Sequence, residues 1–357
     1  MKKIGIIGTG AIGRVHARHA KRVGLEVAAA WDTNPAAMRE FQNEQPHVAM
    51  EPTLASLLSR RDVDGVILAI PNDLHEPLAI QALAAGKHVL LEKPMAITVA
   101  ACDRMLDAAR NAGRTVQMGF VCRHLPAVAM ARQLAIDQRF GNIYHVKASM
   151  YRRRGVPGLG GWFTTKAKSG GGSLIDLGVH LLDAALDIMG HPKIVRVSGA
   201  TYSTFGKRMK EYAYTSMWAG PPNLSGVCDV EDHVTALLRC EGGATIELNA
   251  TWAMNIPDGV LPDGLAIFGD RSGCKIGLQD QSVLLATEAG MAPTDETLQL
   301  NADNPMDQAW DGQARAFMQL LAQSGEATAT ALQGRTVQAV IDAIYQSARE
   351  DREVSVT

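Results

Sequence analysis

The sequence predicts an α/β chain in two parts: a parallel sheet wrapped by helices, then an α+β domain with a mainly antiparallel sheet. Three observations support this. Short apolar strands alternate with helical stretches over residues 1 to 122. A glycine-spaced turn joins the first strand to the first helix. From about residue 193 to 285 the pattern changes to strands joined by turns.

In the first part, "KIGIIG" reads as a buried strand ending in glycine and "RVHARHAKRV" as a helix with His16 and His19 on its exposed side. "EVAAAWD" is a second strand, and "PAAMREFQNE" a helix with Pro35 at its first turn, where a missing N–H does no harm. "VDGVILAI", "HVLLEKP" and "TVQMGF" continue the strands, separated by the helices "LHEPLAIQALAAG" and "TVAACDRMLDAARNAG". Strands separated by helices imply parallel pairing with both faces covered.

The second part opens with a helix near 125 to 138 and the strand "NIYHVKASMY". After a Gly/Lys/Thr loop comes the helix "SLIDLGVHLLDAALDIMG". Along the clearest later strand, Ile246, Leu248, Ala250 and Trp252 alternate with Thr245, Glu247, Asn249 and Thr251, so one sheet face is apolar and the other polar. Residues 204 to 228 read as loop. In "QGRTVQAVIDAIYQSARED", Val337, Val340, Ile341 and Ile344 form one helical stripe. The expected domains are 1–122, 123–335, and a C-terminal helix and tail at 336–357.

Composition narrows the function. Apolar content of 46% and charged content of 20% are ordinary for a folded chain. A net charge of -2, with "YRRRG" the main basic cluster, argues against nucleic acid or an anionic membrane as partner. Cys102, Cys122, Cys228, Cys240 and Cys274 are scattered and form no C-x-x-C pair, as expected of reduced thiols in a cytoplasmic protein. The glycine-rich start runs into Arg14, His16 and Arg18 without a cleavage signal, and no membrane span is expected.

Gly8, Gly10 and Gly13 form G-x-G-x-x-G at a strand-to-helix turn. Such spacing makes a tight turn, lets the backbone approach a pyrophosphate, and allows close helix–strand packing. With Ala11 and Ile12, the helix start offers amides to phosphates. Asp32, at the end of the second strand, suits the ribose hydroxyls of NAD and would repel the 2′-phosphate of NADP.

Lys93 follows Glu92 at a strand's carboxyl end, where ligands of such sheets bind, though a solvated lysine would look the same. Asp176 and His180, at i and i+4 on one helix, admit three readings: a structural pair, a metal site still short of a third ligand, or a general base with its orienting carboxylate. Glycines 170 to 172 let the chain approach something closely before that helix. Asp183 and Asp187, on the same stripe, read as caps or solvent contacts. His233 reads as a sheet histidine.

Together, "GIIGTGAIGRVHA", "AIPNDLHEPLAIQALAAGKHVLLEKPMA", "GGGSLIDLGVHLLD" and "GRTVQAVIDAIYQSAREDREVSV" resemble the Gfo/Idh/MocA oxidoreductases, over nearly the whole chain. The resemblance implies a Rossmann domain, a C-terminal domain with an open, mainly antiparallel sheet, and a final helix packing back on the first domain. It implies Lys93, Asp176 and His180 as catalytic residues. Gly8, Gly10, Gly13, Asp32, Pro71, Asn72, His75, Glu92 and Lys93 fall at its cofactor contacts, and Trp162 at the nicotinamide pocket. Phe163 stands where several members have arginine.

Arg123 falls at a frequent family arginine and is expected to touch substrate or to be structural. Arg152 to Arg154 are expected in a mobile loop over the site, with Arg153 touching substrate, or with at least two of the three solvated. The implied activity is NAD-dependent oxidation of a cyclic sugar or polyol (an inositol, aldose, anhydrosugar or glucoside), without metal, in a homodimer or homotetramer formed through the sheet. Which of Lys93 and His180 moves the proton stays open. An NAD-dependent glycosidase that oxidises its sugar transiently, and a non-catalytic dinucleotide-binding protein, are the alternatives.

Overall fold

The computed structural model describes residues 2–215, 218–300, 303–323 and 326–357; Ser216 and Met217, within the expected loop 204–228, lie outside them. The chain forms two compact units, Met1–Val121 with Asp307–Gln338, and Cys122–Met306 with Ala339–Thr357.

The first unit contains β1 (Lys3–Ile7), α1 (Ala11–Arg22), β2 (Glu26–Trp31), α2 (Pro35–Glu44), β3 (Ala49–Met50), α3 (Leu54–Ser59), β4 (Gly65–Leu68), α4 (His75–Ala84), β5 (His88–Glu92), α5 (Val99–Ala112) and β6 (Val116–Gly119). Its six strands are all parallel, in the order β3-β2-β1-β4-β5-β6. The order reverses beside β1, and ligands of such sheets bind at that point, outside the strands' carboxyl ends. Ile4, Ile6, Ile67, Leu68, Leu90 and Leu91 are buried, as strands covered on both faces require.

The second unit begins with α6 (Pro126–Ile136), β7 (Ile143–Tyr151), α7 (Lys166–Ser169) and α8 (Val179–Ile188), and continues with β8 (Ile194–Tyr202), β9 (His233–Cys240), β10 (Thr245–Thr251) and β11 (Gly264–Gly269). After β12 (Gly273–Ile276), β13 (Val283–Ala289) and β14 (Ala292–Leu298) comes α9 (Pro305–Leu321), then α10 (Ala331–Glu350) and β15 (Val354–Ser355). The nine-stranded sheet runs β14-β13-β12-β11-β7-β10-β9-β8-β15 and is antiparallel except where β7 meets β10. Ile246, Leu248 and Ala250 point to the buried face, as their alternation requires, and α8 packs there against β7, β10 and β11.

Two differences from the sequence reading have one cause. Residues 307–338, expected in the second domain up to 335, are grouped with the first unit. Phe317, Leu320 and Leu321 of α9 complete the core formed by Ile4, Ile6, Ala17, Ala20 and Leu90, and each such side chain contributes about 1.5–3 kcal/mol when fully buried. This helix also covers α1, so His16 and His19 are buried rather than exposed. The His16 and Trp310 rings meet edge to face with centroids 5.0 Å apart, and His19 Nδ1 lies 2.7 Å from Asp311 Oδ1.

Candidate active site

The first unit gathers its expected cofactor residues at the carboxyl ends of its strands. Gly8 has φ +94 and approaches β4 so closely that a Cβ there would overlap the Ala69 carbonyl. A Cβ on Gly13 would overlap the Gly8 carbonyl. Gly10 differs: its missing Cβ faces open space, and it begins α1 without a side-chain cap. The first amides of α1, at Ala11, Ile12 and Gly13, therefore sit behind a cleared approach. Thr9 N–H donates to Asp32 Oδ2 at 2.7 Å and Asn34 N–H to Oδ1 at 2.8 Å, which fixes the carboxylate beside the loop. Pro71 and the buried Asn72 follow β4. An open helix terminus beside an oriented carboxylate fits a dinucleotide with free ribose hydroxyls.

Lys93 is partly exposed just beyond β5, with a cis bond to Pro94. Glu92 turns inward instead of outward. Its Oε1 lies 2.8 Å from His16 Nε2, and its Oε2 accepts the Lys93 N–H at 3.3 Å. Glu92 thus ties α1 to the start of the lysine turn. His75 is also no surface contact, because it is 0% exposed. Its Nδ1 is 2.7 Å from the Pro94 carbonyl and its Nε2 3.1 Å from that of Ile70. Burial outweighs the pull of these carbonyls and pushes its pKa below the ordinary 6.5. This neutral ring holds the Lys93–Pro94 turn in place.

In the second unit, residues 174–178 form a π-helical turn that leads into α8, a widened geometry frequent at functional sites. Asp176 is buried in that turn. Trp252 Nε1–H donates to its Oδ2 at 2.9 Å, and Arg152 Nη1 lies 3.9 Å from the same oxygen. His180 is the first partly exposed residue after a run of nine buried ones. The turn thus carries a held carboxylate and an accessible imidazole four residues apart.

Several second-unit expectations change. Arg123 lies within a buried ion-pair network: Nε and Nη2 bind Asp183 at 2.9 and 2.6 Å, and Nη1 is 3.3 Å from Asp187. That argues for a structural role, and Asp183 and Asp187 are buried partners rather than solvent contacts. Arg153 is more than half exposed, 3.7 Å from Asp258. Arg154 lies over the Phe205 and Tyr212 rings, and Arg152 faces Asp176, so only Arg153 of the three is mainly solvated. Trp162 stacks on Phe163 with ring centroids 3.9 Å apart. The glycines before the helix make room for the chain's own groups, since Cβ atoms at Gly171 and Gly172 would overlap the Tyr345 hydroxyl and the Glu231 carbonyl. Thr9, Trp252, Glu231 and Tyr345 had no sequence signal of their own. Arg152 stood in the basic run that Arg153 represented. Among the described residues, no group of three or more His, Cys, Asp or Glu is placed to hold a metal ion.

Two predictions follow from the first unit. Gly10→Ala, at a φ of -67 that alanine adopts freely, should fold normally but lose NAD affinity at least about tenfold. Gly13→Ala should lose about 1–3 kcal/mol of stability. Thermal melts and fluorescence titration with NAD separate the two effects, and full NAD binding by Gly10→Ala would refute the cleared approach. The second concerns His75. Because its folded-state pKa is depressed, its contribution to stability is complete above pH 6.5 and is lost as pH falls through the lower folded value. His75→Asn, which can still donate to Pro94, should therefore lose less stability than wild type between about pH 7 and about pH 5 in urea unfolding. Equal losses would assign the acid sensitivity elsewhere.

Family models match segments in both units. Residues 2–120 match the Gfo/Idh/MocA oxidoreductase model, an NAD-binding Rossmann fold, and residues 128–273 match that family's C-terminal domain. A proposed UDP-kanosamine synthase oxidoreductase subunit from Amycolatopsis mediterranei is 36% identical over 64% of this chain; the aligned part spans 62% of that relative's length. D-glucoside 3-dehydrogenase from Escherichia coli is 28% identical over 99% of this chain and 97% of its own. The crystal structure of an oxidoreductase domain protein from Kribbella flavida superposes with a TM-score of 0.85 at 26% identity, covering 100% of both chains. With its NAD-binding Rossmann fold and its mainly antiparallel second sheet, the chain belongs to the Gfo/Idh/MocA family of oxidoreductases.

Proposed function

We propose that the chain is an NAD-dependent dehydrogenase of a cyclic sugar or polyol, and that its substrate is a glucoside oxidised at the ring 3-hydroxyl. The observation that carries the reading is the set of chemical types present: a lysine just beyond β5 in one unit and, in the other, a held aspartate with a partly exposed histidine four residues on. The near full-length similarity to D-glucoside 3-dehydrogenase supports the sugar class and the ring position.

In this reading Gly8, Gly10, Ala11, Ile12 and Gly13 cradle the pyrophosphate, and Asp32 accepts the ribose hydroxyls. When bound, NAD supplies the hydride acceptor at its nicotinamide ring, so the alcohol becomes a ketone. His180 takes the proton of the reacting hydroxyl, as an imidazole can near neutral pH. The Lys93 ammonium hydrogen-bonds the same oxygen and stabilises the negative charge that builds as the proton leaves. Asp176, held by Trp252 on one oxygen, orients His180 and accepts a neighbouring sugar hydroxyl. Pro71, Asn72 and Trp162 contribute surface around the cofactor and substrate. Glu92 and His75 act through the Lys93–Pro94 turn.

Exposed Tyr144, Phe268 and Leu284 on the second sheet support a homodimer or homotetramer formed through that face. No helix among the described residues is long and apolar enough to cross a membrane. No disulfide joins the five cysteines, which supports a reducing, cytoplasmic setting.

The test is absorbance of reduced nicotinamide with NAD or NADP and a panel of glucosides, aldoses, anhydrosugars and inositols. Wild type should reduce NAD with the glucosides and give the 3-keto product by NMR. Lys93→Met should lower kcat by about 10²–10⁴ while still binding NAD in fluorescence titration. Aglycone release without net NADH would replace the dehydrogenase with the glycosidase, and NAD binding with neither reaction would leave a binding protein. Sedimentation of a monomer at micromolar concentration would remove the assembly from the proposal.

A further inference from the structure

We infer that Glu231 and Tyr345 are positioning residues, which set the turn that carries Asp176 and His180. The inference rests on the proposed roles of those two residues.

A helix begins with amide groups that have no partner of their own. Here one residue from the loop before β9 takes three in succession. Gly172 N–H donates to both Glu231 carboxylate oxygens at 3.0 Å, Ser173 N–H to the Glu231 backbone carbonyl at 3.1 Å, and Leu174 N–H to Oε1 at 2.9 Å. The Tyr345 hydroxyl, on α10, donates to the same Oε1 at 2.9 Å. Glu231 is buried, so water does not compete for these bonds.

The cap reaches Asp176 in two steps. Glu231 holds Gly172 through its N–H, and the Gly172 carbonyl accepts the Asp176 N–H at 3.0 Å. On the other side, the Ser173 hydroxyl donates to the Ala250 carbonyl, two residues before the Trp252 that holds the Asp176 carboxylate. Both ends of the approach to Asp176 are thereby fixed, one through Glu231 and one through β10. Gly171 and Gly172 are required by this arrangement, because a Cβ at either would displace Tyr345 or Glu231. Tyr345 in turn fixes which rotamer Glu231 can adopt. Where the helix begins, and hence the angle at which Asp176 and His180 project, is set by a carboxylate that never meets the substrate.

Tyr345→Phe is the first test, because it removes one hydroxyl and leaves the cap's three amide bonds. With the best substrate of the panel and saturating NAD, kcat should fall about tenfold, a size typical of a slightly misplaced catalytic group. NAD affinity should stay within about twofold, the melting temperature should change little, and the solvent deuterium isotope effect on kcat should rise as proton transfer becomes slower. Glu231→Gln, similar in volume but with one acceptor oxygen replaced by a donor, should lose about a hundredfold in kcat with NAD still bound. An unchanged kcat in Tyr345→Phe would overturn the inference. So would a loss of kcat that only parallels losses of melting temperature and NAD affinity, which would make the pair a scaffold contact. If instead Lys93→Met and a His180→Ala variant keep wild-type rates, the underlying functional reading fails, whatever Tyr345→Phe does.

Discussion

The unpartnered amides of a helix's first turn are the constraint around which both units are organised. Each unit meets it with glycines and resolves it in the opposite way. At α1 the terminus is left open, with no side-chain cap and clear space in front of Gly10. Its donors are therefore available to an anion from outside the chain. At the turn before α8, Glu231 closes the terminus from within. Glycine serves both places, but at one the space in front of the terminus stays clear and at the other a carboxylate of the same chain fills it.

Around the open terminus, the supporting contacts lead toward Lys93. His16 of α1 reaches Glu92, Glu92 accepts the backbone N–H of Lys93, and His75 holds the carbonyl of Pro94. Gly119, on the neighbouring strand, is what leaves room for the Glu92 carboxylate. None of these groups needs to touch a substrate to matter. They restrict how far the lysine can wander from the glycine turn before α1, and restricted geometry is where much of an enzyme's rate advantage lies.

The local parts of this fold were legible in the sequence and the non-local parts were not. Alternating apolar strands and helices are written in short windows, so the parallel sheet, the stripe of α10 and the two-faced β10 could all be read directly. What the glycines at 170 to 172 approach could not, because Glu231 and Tyr345 lie far along the chain and show no pattern pointing back. His16 and His19 looked exposed because a helix read alone has an outer face, and only α9 removes it. Asp183 and Asp187 looked solvated until Arg123 supplied their charge partner. The helical pattern of α9 is present in the sequence, with Ala309, Ala316, Phe317 and Leu320 recurring at helical spacing, but nothing in that window says which sheet the stripe covers.

That same helix has a bearing on how the chain is made. The first unit is discontinuous: its sheet is complete by Val121, yet Phe317, Leu320 and Leu321 of its core are synthesised only after most of the second unit. On a ribosome, the nascent Rossmann sheet emerges with one apolar flank bare and two histidines uncovered. It must remain in that condition while β7 to β14 of the second sheet are translated. Domains that fold as they emerge are protected by finishing early. This one cannot finish early, because the part of its core that α9 supplies is made after the sheet it covers.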